Sequence, residues 1–116
     1  MKKKKTVRPD SLRRDYERLS RGLAGMGYIS HGSVLDRSTL QPPRSGYQWT
    51  RKVAQKTITV ALSPEQFQWL RKAIENRQTL QKTITRMENI SRKILFETLP
   101  DTRRRKPLTE KVLGTI

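Results

Sequence analysis

The chain has 116 residues, of which 26 are Lys or Arg and ten are Asp or Glu, a formal net charge of +16. With no cysteine and one histidine, disulfides, thiolate catalysis, cysteine-based zinc sites and any two-histidine metal site or relay within one chain are excluded. So large a positive surplus on 13.6 kDa repels itself unless a polyanion neutralises it, and nucleic acid is the commonest polyanion a cell offers.

Hydrophobic residues make up 33% of the chain, which limits it to one small core flanked by tails. Residues 1–9 read as a basic arm. Lys2, Lys3, Lys4 and Lys5 imitate a signal-peptide start, but the polar Thr6–Asp10 stretch stands where an apolar run is needed. No run approaches the roughly 18 apolar residues of a membrane span, and no basic helix has the bulky apolar face that insertion into a membrane surface requires. The sequence therefore predicts no membrane partner and a cytoplasmic protein, associated with nucleoid or ribonucleoprotein.

Residues 10–98 read as a single α+β domain. Leu12, Tyr16, Leu19 and Leu23 recur at helical spacing over 10–24, with Asp10 or Ser11 placed to cap the start and Gly25 and Gly27 to end it. Ser33–Leu40 has some β character but poor alternation, and Gln41–Gly46 reads as a loop. Tyr47–Val53 and Lys56–Leu62 are two runs rich in β-branched and aromatic residues, separated by Ala54-Gln55. A two-residue turn would pair Tyr47 with Leu62, Trp49 with Val60 and Arg51 with Ile58 on one side. The other side would pair Gln48 with Ala61, Thr50 with Thr59 and Lys52 with Thr57. Ala-Gln is a poor choice for such a turn, which favours Asn-Gly, so a wider loop stays open.

Ser63-Pro64-Glu65-Gln66 is a capping box with Pro at the first helical position. Nothing breaks the chain again before Pro100, so a long helix is expected over 64–96. Its first apolar set, Phe67, Leu70, Ala73 and Ile74, is expected to cover the hydrophobic face of the hairpin. Leu80, Ile84, Met87 and Ile94 keep a seven-residue repeat with Leu70 and Ala73, with Arg77 and Ser91 at two of the seam positions, and either the N-terminal helix, folding back along the early part, or a second copy must cover it. Residues 99–116 are a basic tail whose last stretch, Leu108–Ile116, is only mildly amphipathic. The fold class expected is thus a short helix, a small antiparallel hairpin or three-stranded sheet and a long helix, with basic arms at both ends.

No catalytic constellation assembles. His31 stands between Ser30 and Gly32 in a turn. Glu75 and Glu88 are thirteen residues apart, so at about 100° per residue they diverge around a helix, and with Asp36 they do not form a metal cluster. Gly25-Met26-Gly27 lacks the strand and lysine of a phosphate loop. No catalytic residue, cofactor or metal is expected.

The cations carry the positive argument. Lys2–Lys5 with Arg8, and Arg103, Arg104, Arg105 and Lys106, bracket the domain, and Arg13, Arg14, Arg18 and Arg21 sit along the first helix. Arg44, Arg51, Lys52 and Lys56 fall in and around the hairpin. Fifteen of the 26 cations are Arg, whose planar fork grips phosphate and stacks on bases better than the lysine point charge does. If the apolar side of the hairpin packs on the long helix, Gln48, Thr50, Lys52, Thr57 and Thr59 are left outward, and a β-ribbon of that width fits a DNA major groove. The reading is a nucleic-acid-binding protein, DNA favoured slightly over RNA. The alternatives are an RNA-binding subunit of a ribonucleoprotein and a dimeric adaptor using the Leu70–Ile94 seam.

The blocks Gly32–Arg37, Gly46–Val53, Lys56-Thr57 and Leu62–Gln66 resemble an uncharacterised small bacterial domain family associated with mobile elements and transposase-related proteins, over about residues 30–92. Members often carry a cysteine cluster before the hairpin and a glycine in its turn. Here Gln41-Pro42-Pro43-Arg44 and Ala54-Gln55 stand there, so no zinc is implied. The resemblance implies a prokaryotic setting and a tilt toward DNA. The hairpin-then-helix order is also similar to the arm-binding domains of tyrosine integrases, at the level of fold alone.

Overall fold

The computed structural model describes residues 8–99, 101 and 108–114. Elements follow in the order α1 (Pro9–Ala24), β1 (Ser33–Asp36), a one-turn 3-10 helix (Arg37–Thr39), β2 (Tyr47–Val53), β3 (Lys56–Leu62), α2 (Pro64–Thr98) and α3 (Glu110–Leu113). The fold is α+β, with one antiparallel sheet of order β1-β2-β3. The chain divides into two compact units: Met26–Gln81, which holds the sheet and the first half of α2, and Met1–Gly25 with Lys82–Ile116.

In the sheet unit, β2 and β3 pair from Tyr47↔Leu62 to Val53↔Lys56, the register that alternation predicts. The turn is the tight two-residue one, not a wider loop. Ala54 and Gln55 both take positive φ, 49° and 67°, the left-handed conformation that a hairpin turn matching strand twist demands of whatever residues occupy it. The weak β signal at Ser33–Leu40 resolves into two elements. Ser33–Asp36 adds to the outer edge of β2, with Val34 opposite Trp49 and Asp36 opposite Tyr47. Asp36 then starts the 3-10 turn, its carboxylate accepting from the Ser38 amide (3.0 Å) and hydroxyl (2.7 Å).

The α2 capping box forms as its sequence dictates. The Gln66 amide donates to Ser63 Oγ (3.1 Å), and the Ser63 amide donates to Gln66 Oε1 (2.8 Å). Phe67 and Ala73 are buried, and Tyr47 stacks on Phe67 at 4.3 Å between ring centroids. The helix does not, however, cover the whole apolar face of the hairpin. Ile58 and Val60, toward the turn, stay 38% and 43% exposed. Further along α2 the Met26–His31 segment takes the place the hairpin was expected to fill. The Ser30 amide donates to the Ala73 carbonyl (3.2 Å) and Asn76 Nδ2 donates to the Tyr28 carbonyl (2.9 Å). Gly27 permits that approach, because a Cβ there would stand 3.1 Å from Asn76 Nδ2.

In the other unit, α1 begins at Pro9 with Arg8 at the cap position and no side-chain cap. Neither Asp10 nor Ser11 caps it, since both lie inside the helix. Pro at the first position supplies the start instead. Leu12 is buried. Tyr16 and Leu23 of α1 share a groove of about 320 Å³ with Ile84 and Met87. Within this unit α1 folds back on the later part of the seam, at Ile84 and Met87.

Candidate nucleic-acid interface

Strand periodicity sorts the hairpin side chains into two sets. On one face stand Gln48, Thr50 and Lys52 of β2, with Ala61, Thr59 and Thr57 of β3 as their cross-strand partners and Leu35 and Ser33 of β1 beside Gln48 and Thr50. Lys52, Thr57 and Thr59 are exposed, while Gln48 and Thr50 are half-buried. Arg37, which the sequence does not mark as a site residue, joins this set. Its Nε donates to Gln48 Oε1 (3.2 Å), and so fixes which way that amide points.

The loop after β1 holds Arg37 there. The Arg37 amide donates to the Gly46 carbonyl (2.9 Å), and the Arg37 carbonyl accepts from the amides of Leu40 (3.1 Å) and Arg44 (3.0 Å). Arg44, exposed, is thereby tied by its backbone to Arg37. The signal in the sequence was local and easily passed over: an Asp-Arg-Ser turn start, followed nine residues after Arg37 by Gly46 at φ +93°.

The opposite face carries Tyr47, Trp49, Arg51 and Val53 with Val60 and Ile58. Trp49 Nε1 donates to the His31 carbonyl (2.9 Å), and the Arg51 guanidinium lies over the Trp49 ring at 5.5 Å. Tyr47 and Trp49 are thus structural. Gly32 makes room for this indole. At φ +106° its missing Cβ would fall 2.5 Å from Trp49 Nε1, closer than any side chain tolerates. Arg51 and Lys56 consequently stand on the side away from Gln48, Thr50 and Lys52, and do not join the polar set.

Charge is distributed unevenly. Between Gly32 and Leu62 five cations, Arg37, Arg44, Arg51, Lys52 and Lys56, meet a single acid, Asp36. The two hydrogen bonds from Ser38, side chain first and backbone second, hold that carboxyl below its ordinary range. None of the five cations is ion-paired to a described residue.

On α1 the picture differs. Arg13 pairs with Asp10 (3.5 Å), Arg18 with Asp15 (3.4 Å) and Arg21 with Glu17 (3.9 Å), while Arg14 and Arg8 are exposed. On α2, Arg71 pairs with Glu75 (3.6 Å). Lys2, Lys3, Lys4 and Lys5, and Arg103, Arg104, Arg105 and Lys106, lie outside the described residues.

Among the described residues no three His, Asp or Glu side chains converge on one point, and no helix is long and apolar enough to cross a membrane. Compared with protein-family models, curated proteins and solved structures, the chain matches none.

Proposed function

We propose that this is a non-enzymatic nucleic-acid-binding protein that neutralises phosphates with its Arg and Lys side chains and sets the polar face of its sheet against a duplex. The observation that carries the reading is the one face on which Gln48, Thr50, Lys52, Thr57 and Thr59 stand together beside Arg37. It lies in a stretch whose cations no described acid neutralises. Thr, Gln and Lys are side chains that meet base edges, and Arg and Lys meet phosphates.

Width favours DNA. β1 pairs with β2 only over Tyr47–Thr50, so the turn end, from Arg51↔Ile58 to Val53↔Lys56, is a two-stranded ribbon of the kind a B-form major groove about 12 Å wide admits. The deep, narrow major groove of A-form RNA does not admit it. The role that goes with the family resemblance is that of a DNA-binding accessory factor of a mobile element.

The test is a salt titration of binding to a mixed-sequence DNA duplex by fluorescence anisotropy, with structured RNA as competitor. If about eight phosphates are met, log affinity against log salt falls with a slope near −7. The duplex should outcompete the RNA at matched salt. A flat salt dependence, or no binding to either polymer in dilute buffer, overturns the reading. A tight dimer indifferent to both polymers would support the adaptor instead. Base reading is tested separately by Thr50→Ala, Lys52→Ala and Thr57→Ala together. Loss of sequence preference is expected, and full retention of preference and affinity removes the sheet from the interface.

A further inference from the structure

The chain holds seven aromatic side chains: two Trp, three Tyr and two Phe. Phe67 is buried, and Tyr16, Tyr47, Trp49 and Phe96 are half-buried. The remaining two, Tyr28 and Trp69, are 75% and 54% exposed, and they touch each other. Their ring centroids are 5.3 Å apart with the planes tilted by 35°. A single exposed aromatic needs no explanation. Two that come from positions 28 and 69 to meet in solvent are a built feature.

The construction is visible in the backbone. Ala73 and Asn76 lie one and two turns after Trp69 on the same side of α2. They receive the Ser30 amide and hold the Tyr28 carbonyl, through the two hydrogen bonds described above. The Tyr28 main chain is therefore pinned to the helix that carries Trp69, while both rings stay in water. Much of each ring's surface is left to solvent, 75% of Tyr28 and 54% of Trp69 by residue. Neither is needed to fill the core, which Phe67 and Ala73 supply in this unit.

We propose that Tyr28 and Trp69 form a stacking platform for unpaired bases of a single nucleic-acid strand, so that the protein holds single strand as well as duplex. The proposal rests on the nucleic-acid reading above. Every base has a π-face, so an open aromatic pair on a chain of net charge +16 accepts bases without regard to sequence. The platform is itself nearly neutral. Lys72 stands one turn after Trp69 and Glu65 one turn before it. Stacking should therefore add affinity without adding to the salt slope, which separates it from phosphate contacts.

The experiment measures binding of the full chain, stripped of nucleic acid, to a labelled twelve-nucleotide oligo(dT) and to a mixed-sequence duplex at the same salt. Trp69→Ala and Tyr28→Ala are each expected to weaken oligo(dT) binding about tenfold or more. Duplex affinity and both salt slopes should hold. Trp69→Phe should keep most of the affinity while abolishing the quenching of indole emission by oligo(dT), since Trp49 is then the only indole left. Both side chains are exposed, so truncation opens no cavity, and Tyr28→Ala serves if Trp69→Ala folds poorly. If the variants bind oligo(dT) like the parent, or the parent binds duplex but not oligo(dT), the platform is overturned and the parent reading stands. If the parent binds neither polymer, the nucleic-acid reading has failed and the platform with it.

Discussion

The four arginines of α1 and the five cations of the sheet region are opposite in circumstance. Over Pro9–Ala24 the four arginines share the helix with Asp10, Asp15 and Glu17, a net of +1. A helix brings residues three and four apart together, so three of the four find a carboxylate of their own. Over Gly32–Leu62, five cations and one acid leave +4, and strand alternation brings no carboxylate to any of them. Counting basic residues along a sequence therefore overstates what α1 offers a phosphate and understates what the sheet offers. Exposed pairs of the α1 kind contribute only about 0.2–1 kcal/mol each, but each must be given up before its arginine serves another anion.

The comparison can be broken in four ways. Phe67→Ala should have the largest effect, about 3 kcal/mol of stability by thermal or urea denaturation. It removes the buried ring beneath Tyr47, so binding through the sheet should fall with it. Leu12→Ala should cost a similar amount while leaving the amide shifts of β2 and β3 in place. Next, Arg37→Ala, Arg44→Ala and Lys52→Ala together should lower duplex affinity about 100-fold in dilute salt and flatten the salt slope by about 3. Arg13→Ala, Arg18→Ala and Arg21→Ala together should lower it less than about threefold. Equal losses from the two triples would end the distinction drawn here.

Third, Ala54→Asn with Gln55→Gly should stabilise the protein by about 1–2 kcal/mol, because Asn and Gly adopt the left-handed conformation of this turn at lower cost than Ala and Gln. A lowered melting temperature would contradict the turn geometry. The smallest effect concerns Asp36. Its folded-state carboxyl lies below the ordinary 3.8, so its contribution to stability is present above that pH and is lost as pH falls through the folded value. Asp36→Asn should therefore be slightly less stable than the parent at neutral pH, with the gap closing in acid denaturation below about pH 4.

How much of this was legible depended on the range of the interaction involved. The β2–β3 register and the Ser63–Gln66 capping box rest on neighbours in sequence, and both were readable residue by residue. The α1 start is ambiguous in sequence, because Asp10 has the chemistry of a cap while Pro9 takes the first helical position. Which stretch of α2 each partner covers is a tertiary competition. The Met26–His31 segment won Ala73 and Asn76, and no periodicity announces that. Within the candidate site, Thr50, Lys52 and Thr57 followed from alternation, but Arg37 reaches Gln48 only because the chain returns at Gly46. Tyr28 and Trp69 meet across forty-one positions, beyond what local pattern conveys.

One feature of the sheet has a bearing on handling. β3 lies at its border, and six of its seven residues are exposed, with no proline and a lysine only at its first position. Such a strand is a template for pairing with another copy of itself, a pairing that the mutual repulsion of chains of charge +16 opposes. A bound polyanion cancels that repulsion, so solubility should be poorest near the mixing ratio at which the charges balance and recover on either side of it.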